Sequence, residues 1–529
     1  MTARSKPKVL FITPKLPPCI WGLEYAVSYT GFKYLSPPIG IITLAGIISP
    51  DYEVELRDEN VGDVIYPTDA DIVGISGQLL HFYHLDRVTA IANYFRAAGK
   101  TVCIGGPVAN LNPDFCRPLC DVLFEGEGEY TWPQFLKDYE SGEHKDHYQQ
   151  IEKIDMCKAP MPRIDLIRAS DYGQGMIQTT RGCPFTCEFC DIIVMYGRKV
   201  RAKPIERVMQ EVQAWADAGQ DHIMFSDDNF VGNRPYVKQL LREIITFNNQ
   251  RKHPLSFSTQ ASIDMAKDPE LLALLRDANF KAIFIGVESP RKASLQETLK
   301  VQNWHTHDLV EAIRTIQSYG IFVGGGMIVG FDNDDKDIFQ EQYEFLQASG
   351  FVFVQVTLLQ AMPKTPLWDR MKAAGRLLDY REGLASNVLP LNMTHEELVS
   401  GCTKLLRDVY SYEAFTERYL TNLRNMNGYK FPNDRPKRSL KSILRCAGLL
   451  RYYVLTKDKE RRKFFFNFIR ESNKIEPKAW KWALRFLAHY IHYREYIYRH
   501  CFVLFAPLVA DDAETEMAPA PKAELRHAG

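Results

Sequence analysis

The chain has 529 residues, 46% of them apolar and 25% charged, and its 65 basic and 65 acidic side chains cancel. That is ordinary globular composition, and the zero balance singles out no polyanionic or polycationic partner. No apolar run approaches the roughly 20 residues of a membrane-spanning helix. Eleven cysteines, an odd and scattered set, argue against a disulfide framework and for a reducing cytoplasm. The opening stretch Met1 to Pro7 is short and polar, unlike a secretory signal, and the length suggests about three domains of roughly 150 residues.

Residues 1–150 alternate short apolar strands with helical patterns. Strands are expected at 8–13, 52–56, 71–76, 101–106 and 121–125, with helices at 41–48 and 84–98. This is the pattern of a doubly wound, Rossmann-like parallel sheet, which binds ligands outside the carboxyl ends of its strands. Those ends carry Asp58 and Asn60, then Ser76-Gly77-Gln78, Gly105-Gly106-Pro107 and Gly126-Glu127-Gly128. Glycines there let a large flat ligand approach the backbone. The order strand, Pro-Pro-x-Gly loop (37–40), Asp-x-Asn, Gly-Ile-Ser-Gly, Gly-Gly-Pro and Gly-Glu-Gly-Glu resembles the cobalamin-binding domains that precede many radical enzymes. A flavodoxin-like module without its ligand is the plainer alternative. The histidine that ligates cobalt in one well-known cobalamin pattern is replaced by Asn60, and His81 and His84 are nearby candidates for a lower ligand.

Next comes Gln178-Thr-Thr-Arg-Gly-Cys-Pro-Phe-Thr-Cys-Glu-Phe-Cys-Asp191, in which Cys183, Cys187 and Cys190 are spaced C-x3-C-x2-C. Three thiolates can hold three irons of a [4Fe-4S] cluster and leave the fourth open to a reactant. Structural zinc would need a fourth ligand, and no other Cys or His lies within about ten residues of Cys190. The spacing, with Phe189 inside it and the apolar Met176-Ile177 before it, resembles the radical S-adenosylmethionine enzymes, in which that substrate chelates the open iron.

Residues 165–391 continue with strands expected at 223–226, 255–260, 282–286, 322–329 and 353–357, and helices between them at 205–216, 269–276 and 308–318. That is a partial β/α barrel, with function at the C-terminal strand ends. The resemblance implies jobs there for specific side chains. Asp227, Asp228 and Asn229 would accept the ammonium of S-adenosylmethionine, and Ser258, Gln260 and Glu288 the ribose hydroxyls. Phe189, Ile328 and Val329 would form the adenine wall. The plain alternative for Asp227 and for Asp332 is a helix N-cap.

Past Asn392 the alternation stops. Residues 392–507 read as helices, and 508–529 as a disordered tail rich in Ala, Pro and Glu. Between 430 and 506 about 19 Lys or Arg face about six Asp or Glu, interleaved with aromatics. Such helices suit an anionic membrane surface; a helical cap with a basic outer face and a nucleic-acid surface are the alternatives.

Together the three parts resemble the cobalamin-dependent radical S-adenosylmethionine enzymes of lipid and tetrapyrrole metabolism, the hopanoid C-2 methylases most of all. The resemblance implies a C-methylation at an unactivated carbon of a polycyclic lipid, with a [4Fe-4S] cluster, S-adenosylmethionine and cobalamin as cofactors. It also implies a flavodoxin or ferredoxin as electron donor, no nucleic-acid partner, and a cytoplasmic enzyme, peripheral on the inner membrane. Competing expectations are a tetrapyrrole cyclase or C-methylase, a non-catalytic cobalamin or redox sensor, and an RNA methylthiotransferase. The last would carry three more cluster cysteines, and Cys103, Cys116 and Cys120 are too closely grouped for that.

Overall fold

The computed structural model describes residues 6–19, 22–77, 82–378, 386–426, 429 and 440–504. The tail expected to be disordered lies outside the described residues.

The first sheet holds β1 (Val9–Thr13), β2 (Val54–Asp58), β3 (Ile72–Ser76), β4 (Thr101–Gly105), β5 (Val122–Glu125) and β6 (His147–Gln149). All pairings are parallel, in the order β2-β1-β3-β4-β5-β6. Alternate residues of one strand serve two cores. Leu10, Ile12, Val73 and Ile75 pack with Val88, Ile91 and Phe95 of the helix Phe82–Ala97. Val9, Phe11 and Ile72 pack on the opposite face with Trp132 and Phe135 of the helix Thr131–Ser141. Both faces are covered, which is why these strands read as unbroken apolar runs. The strand order reverses between β1 and β3, and the crevice that this switch leaves opens at the ends carrying Thr13, Asp58 and Ser76.

The second sheet begins with β7 (Gly175–Ile177), a strand too short to stand out in the sequence. It continues, beyond a two-residue hairpin of β8 (Thr180–Arg181) and β9 (Arg201–Ala202), through β10 (His222–Phe225), β11 (Ser256–Ala261), β12 (Phe280–Glu288), β13 (Phe322–Val329) and β14 (Val354–Leu358). The order is β14-β13-β12-β11-β10-β7, again all parallel, the open arc of a partial barrel. Ile223, Phe225, Phe257, Ile283 and Ile285 point outward, into a core shared with helices such as Ile205–Asp217 and Arg234–Asn249. The side chains between them, His222, Met224, Ser258 and Phe284, turn to the inside of the arc.

The C-terminal helices His395–Val409, Tyr412–Asn425, Leu440–Tyr453, Lys459–Ile475 and Trp480–Leu504 close the arc from below. The ring of Phe486 lies 4.6 Å from that of Phe322 and 4.9 Å from that of Phe353, where β13 and β14 begin. Tyr490 donates to the carbonyl of Tyr410 at 2.7 Å, and Tyr410 donates to that of Val354 at 2.6 Å. Among the described residues, many aromatics of the basic, aromatic stretch are therefore interior: Phe464, Phe465, Phe468, Phe486, Tyr490 and Tyr493 are buried. No helix of the described residues is long and apolar enough to cross a membrane.

Buried charges join the first two parts. Glu127, its side chain 1% exposed, accepts from Arg181 at 3.0 Å, from Arg201 at 3.0 Å and from the Ile154 amide at 2.8 Å, while Glu129 meets Arg181 at 2.6 Å. Burial alone would raise the Glu127 carboxyl, but the two guanidinium groups hold it below the usual carboxylate range. Removing one partner of such a cluster strands buried charge and costs about 3–5 kcal/mol. Glu127→Gln is therefore expected to lower the melting temperature markedly at neutral pH. A group whose folded pKa is depressed stabilises above its unfolded value and loses that contribution as pH falls through the folded one. The gap between wild type and Glu127→Gln should accordingly narrow below the carboxylate range, measured by thermal melts across pH; a gap independent of pH would count against the ion pair.

Candidate active site

At the carboxyl ends of the first sheet, Ser76, Gly105, Gly106, Gly126 and Gly128 line one wall of a cavity. Gly106 has φ +83°, and a Cβ there would strike Ser76 Oγ at 2.7 Å, so this turn requires glycine. The Gly77 amide donates to the Gly105 carbonyl at 3.3 Å, which fixes the shelf, while Gln78 and His81 lie outside the described residues. Asp58 and Asn60 stand on the same wall but are tied inward. Asp58 accepts from the amide and side chain of Asn60 at 2.9 and 2.7 Å and from Tyr172 Oη at 2.7 Å; Asn60 accepts from the Leu16 amide at 3.1 Å. They shape the wall instead of reaching into it. Glu127, expected among the cofactor residues, lies on the same wall, while its carboxylate is taken up by Arg181, Arg201 and the Ile154 amide. His84 lines the wall, buried, with Nδ1 3.1 Å from the Lys15 carbonyl, and burial lowers its pKa, which favours the neutral ring. A flat open shelf of small residues fits a corrin ring.

The cysteine loop starts at the end of β8. Gly182, at φ +97°, would drive a Cβ into the Lys199 carbonyl at 2.6 Å, and its amide donates to Asp228 Oδ2 at 2.8 Å. Beyond it, the Cys183 amide donates to the Gly197 carbonyl and the Cys190 amide to the Cys187 carbonyl. Glu188 anchors the far side through Arg370 at 2.6 Å. Burial pushes the thiols of Cys183 and Cys190 up, so a positively charged centre is what would hold them as thiolates. Among the described residues no three His, Cys, Asp or Glu side chains converge as they would on a single ion. Three cysteines on one pinned loop are the donor set that three irons of a cubane would take.

Around this loop the expected ligands divide. Asp227 is fully buried and accepts from the Thr179 amide at 2.7 Å, from both threonine hydroxyls and from the Thr180 amide. It is neither an ammonium acceptor nor an N-cap; it clamps the strand that leads to the cysteines. Asn229 is likewise committed, to the amide and hydroxyl of Ser262. Asp228 engages Gly182 through one oxygen, and burial raises its pKa to about 7. Gln260 donates to the Asp227 carbonyl at 2.8 Å, and Ser258 Oγ lies 2.9 Å from Nε2 of His222; both face the cavity. Glu288 sits at a bulge after Gly286 with φ +69°, a left-handed backbone rare outside glycine, and meets Lys300 at 2.8 Å. Phe189 and Ile328 join one apolar wall with Phe331 and Leu359. Val329, expected beside them, points into the outer core instead, as strand alternation requires. Asp332 is no cap either: Arg370 and, at 2.6 Å, Arg376 hold it.

Lys300 escaped sequence reasoning. Burial alone would lower its pKa, but Glu288 and the sulfurs of Cys187 and Cys190 hold it above its ordinary value, and it lies 5.7 Å from the Phe189 ring centre. Gln302 Nε2 stands 3.7 Å from Cys187 Sγ. Neither residue belongs to a motif, and only the fold brings them to the loop. By contrast Cys103 and Cys116 are buried among apolar side chains, and burial raises their thiols and that of Cys120.

A single cavity of about 2410 Å³ connects the glycine shelf with the inner face of the second sheet. Ordinary small-molecule pockets hold about 300–1,000 Å³, so this one has room for more than one reactant. Gln178, Arg181, Ser226 and Gln260 carry its wall to the neighbourhood of Asp227 and the cysteine loop.

The family model described as the Radical SAM superfamily matches residues 177–346, and one described as a domain of unknown function (DUF4070) matches 365–501. The uncharacterized methyltransferase sll1242 of Synechocystis sp. is 36% identical over 418 residues, covering 78% of this chain and 76% of its own. The hopanoid C-2 methylase of Rhodopseudomonas palustris is 31% identical over 426 residues, covering 78% and 79%. The chain belongs to the cobalamin-dependent radical S-adenosylmethionine methyltransferases. Bacteriochlorophyllide d C-12(1)-methyltransferase of Chlorobaculum tepidum is 27% identical to this methyltransferase, covering 78% of it and 90% of its own length. The cobalamin-dependent radical enzyme OxsB, solved with aqua-cobalamin and S-adenosylmethionine, shares the fold at a TM-score of 0.60 and 17% identity, covering 96% and 82%.

Because Asp227 satisfies two buried amides, Asp227→Ala should cost this methyltransferase about 1–3 kcal/mol for each donor left unpaired and loosen the cysteine loop. A lower melting temperature together with reduced iron retention after reconstitution is expected; unchanged iron content would show that the clamp does not govern the loop.

Proposed function

We propose that this methyltransferase adds a methyl group to an unactivated carbon of a polycyclic lipid, a hopanoid at C-2, at the cytoplasmic face of a membrane. One observation carries the reading: a large cavity, its wall more apolar than polar, runs from a glycine shelf past the cysteine loop into the barrel. Similarity to the hopanoid C-2 methylase adds the substrate class.

In this reading Cys183, Cys187 and Cys190 hold three irons of a [4Fe-4S] cluster. Asp228 and Glu288 receive the polar end of S-adenosylmethionine, Ser258 and Gln260 its ribose, and Phe189 with Ile328 its adenine. Ser76, Gly105, Gly106, Gly126 and Gly128 seat cobalamin. When bound, these groups supply an electron from a flavodoxin or ferredoxin, a radical able to take hydrogen from an unactivated C–H bond, and the methyl group that replaces it. The chain supplies position and dryness. Lys300 keeps positive charge beside the loop, and Gln302 aims a donor at Cys187. The buried charges of Glu127 and Arg181 tie the carboxyl end of the first sheet to the cysteine loop, and Phe486 packs on Phe322 at the barrel floor. A saturated ring carbon has no acidic proton, so a polar methylation has nothing to act on and a radical route is required.

Similarity to the bacteriochlorophyllide methyltransferase favours a second reading, methylation of a tetrapyrrole side chain. Deleting the gene and profiling lipids and pigments by mass spectrometry separates the two: loss of a methylated hopanoid is expected, loss of a methylated pigment supports the second reading, and no change in either overturns both. In vitro, Cys187→Ala should abolish methylation and deoxyadenosine formation while the visible spectrum of bound cobalamin persists. Methylation by that variant would overturn the cluster assignment.

A further inference from the structure

The cavity has a second end, away from the glycine shelf. It passes His222, Ser256 and Lys281, all at strand starts, and reaches the floor of the barrel. There several wall residues are also on the molecular surface. Lys252 follows the helix Arg234–Asn249, Leu450 lies on the helix Leu440–Tyr453, and Lys478, Trp480 and Arg485 come from the last helix and its approach. A wall residue that is also exposed marks a mouth, and this one has two large apolar side chains on its rim, Leu450 at 49% and Trp480 at 40% exposed. Lys252, Lys478 and Arg485, all exposed, line this end of the cavity too, together with Asp221.

We propose that this mouth is the substrate entrance and that its rim seats on an anionic bilayer. The proposal rests on the reading that the substrate is a membrane lipid. An exposed Trp and Leu among cations is the composition that settles at a headgroup boundary: the apolar side chains enter the interface while the cations meet lipid phosphates. A lipid leaving the bilayer here enters a passage lined by Phe284, Phe353 and Phe486 as well as by His222, Ser256 and Lys281, and reaches the reacting end through the protein. The reacting end and the entrance lie at opposite ends of the second sheet, so cofactors and substrate load from different sides. The aromatics buried beneath the last helix do not contact the membrane; the rim alone does.

The test uses the full-length reconstituted protein and vesicles of phosphatidylcholine with and without phosphatidylglycerol. Wild type should sediment with the anionic vesicles and be released by salt. The triple variant Lys252→Glu, Lys478→Glu, Arg485→Glu should bind them more weakly by over about a hundredfold, because three cations are lost and three anions are added against an anionic surface. Leu450→Ser with Trp480→Ser should weaken binding while leaving the salt dependence in place. Both variants should lose far more activity on vesicle-embedded hopanoid than on detergent-solubilised hopanoid. Equal vesicle binding by wild type and the triple variant overturns the proposal, as does weakened binding with no effect on the vesicle-embedded substrate. Self-association of wild type that the same charge reversal dissolves would give the face to a second copy and also overturns it. If neither protein methylates hopanoid in detergent, the substrate reading is what fails, and vesicle sedimentation alone decides the docking surface.

Discussion

The arrangement depends on a small buried constellation of charge: Arg181 and Arg201 against Glu127 and Glu129. Glu127 and Glu129 belong to the turn after β5, and Arg181 is two residues from Cys183 in the chain. The cluster thus couples the carboxyl end of one sheet to the loop that opens the other. Four charges out of water gain little net energy over apolar packing of equal volume. What they add is geometry, because a planar guanidinium accepts a carboxylate in few orientations. A reaction that brings three partners together tolerates little slippage between the parts that hold them, and directional contacts restrict slippage better than greasy ones.

Much of this was legible in the sequence, for a local reason. Strand and helix periods are short-range patterns, so Val9–Thr13, Phe322–Val329 and the helix Ile205–Asp217 stood out in the residues themselves, and three cysteines within eight positions need no fold to be recognised. The barrel's first strand did not stand out, because β7 has three residues and a period cannot be read from so few. Carboxylates were the weakest ground. Asp227 meets Thr179 and Thr180, 48 and 47 positions away, and Glu127 meets Arg181 at a separation of 54. A strand-end acid facing a ligand and one facing a distant backbone amide look alike until the fold is closed.

The C-terminal stretch shows the same limit differently. Basic and aromatic residues at helical spacing describe two faces of a helix without saying which one meets protein. Phe464, Phe468, Phe486 and Tyr490 turned inward, because a barrel of six strands is open at the bottom and its strand starts offer Phe322 and Phe353 as partners. The bilayer-like character that the composition suggested survives only on the few side chains that could not be buried. Lys300 is the converse case, a cation on no motif, drawn to the cysteine loop by the turn that follows the helix Lys292–Glu297.

The helix Trp480–Leu504 takes the place of strands that a complete barrel would have. Trp482, Phe486 and Tyr493 of this helix line the chamber, and they come from a separate stretch of chain that ends the described structure. The chamber is thereby walled by three separated stretches of one chain, and its depth is set by how the last helix seats Phe486 against Phe322 and Phe353.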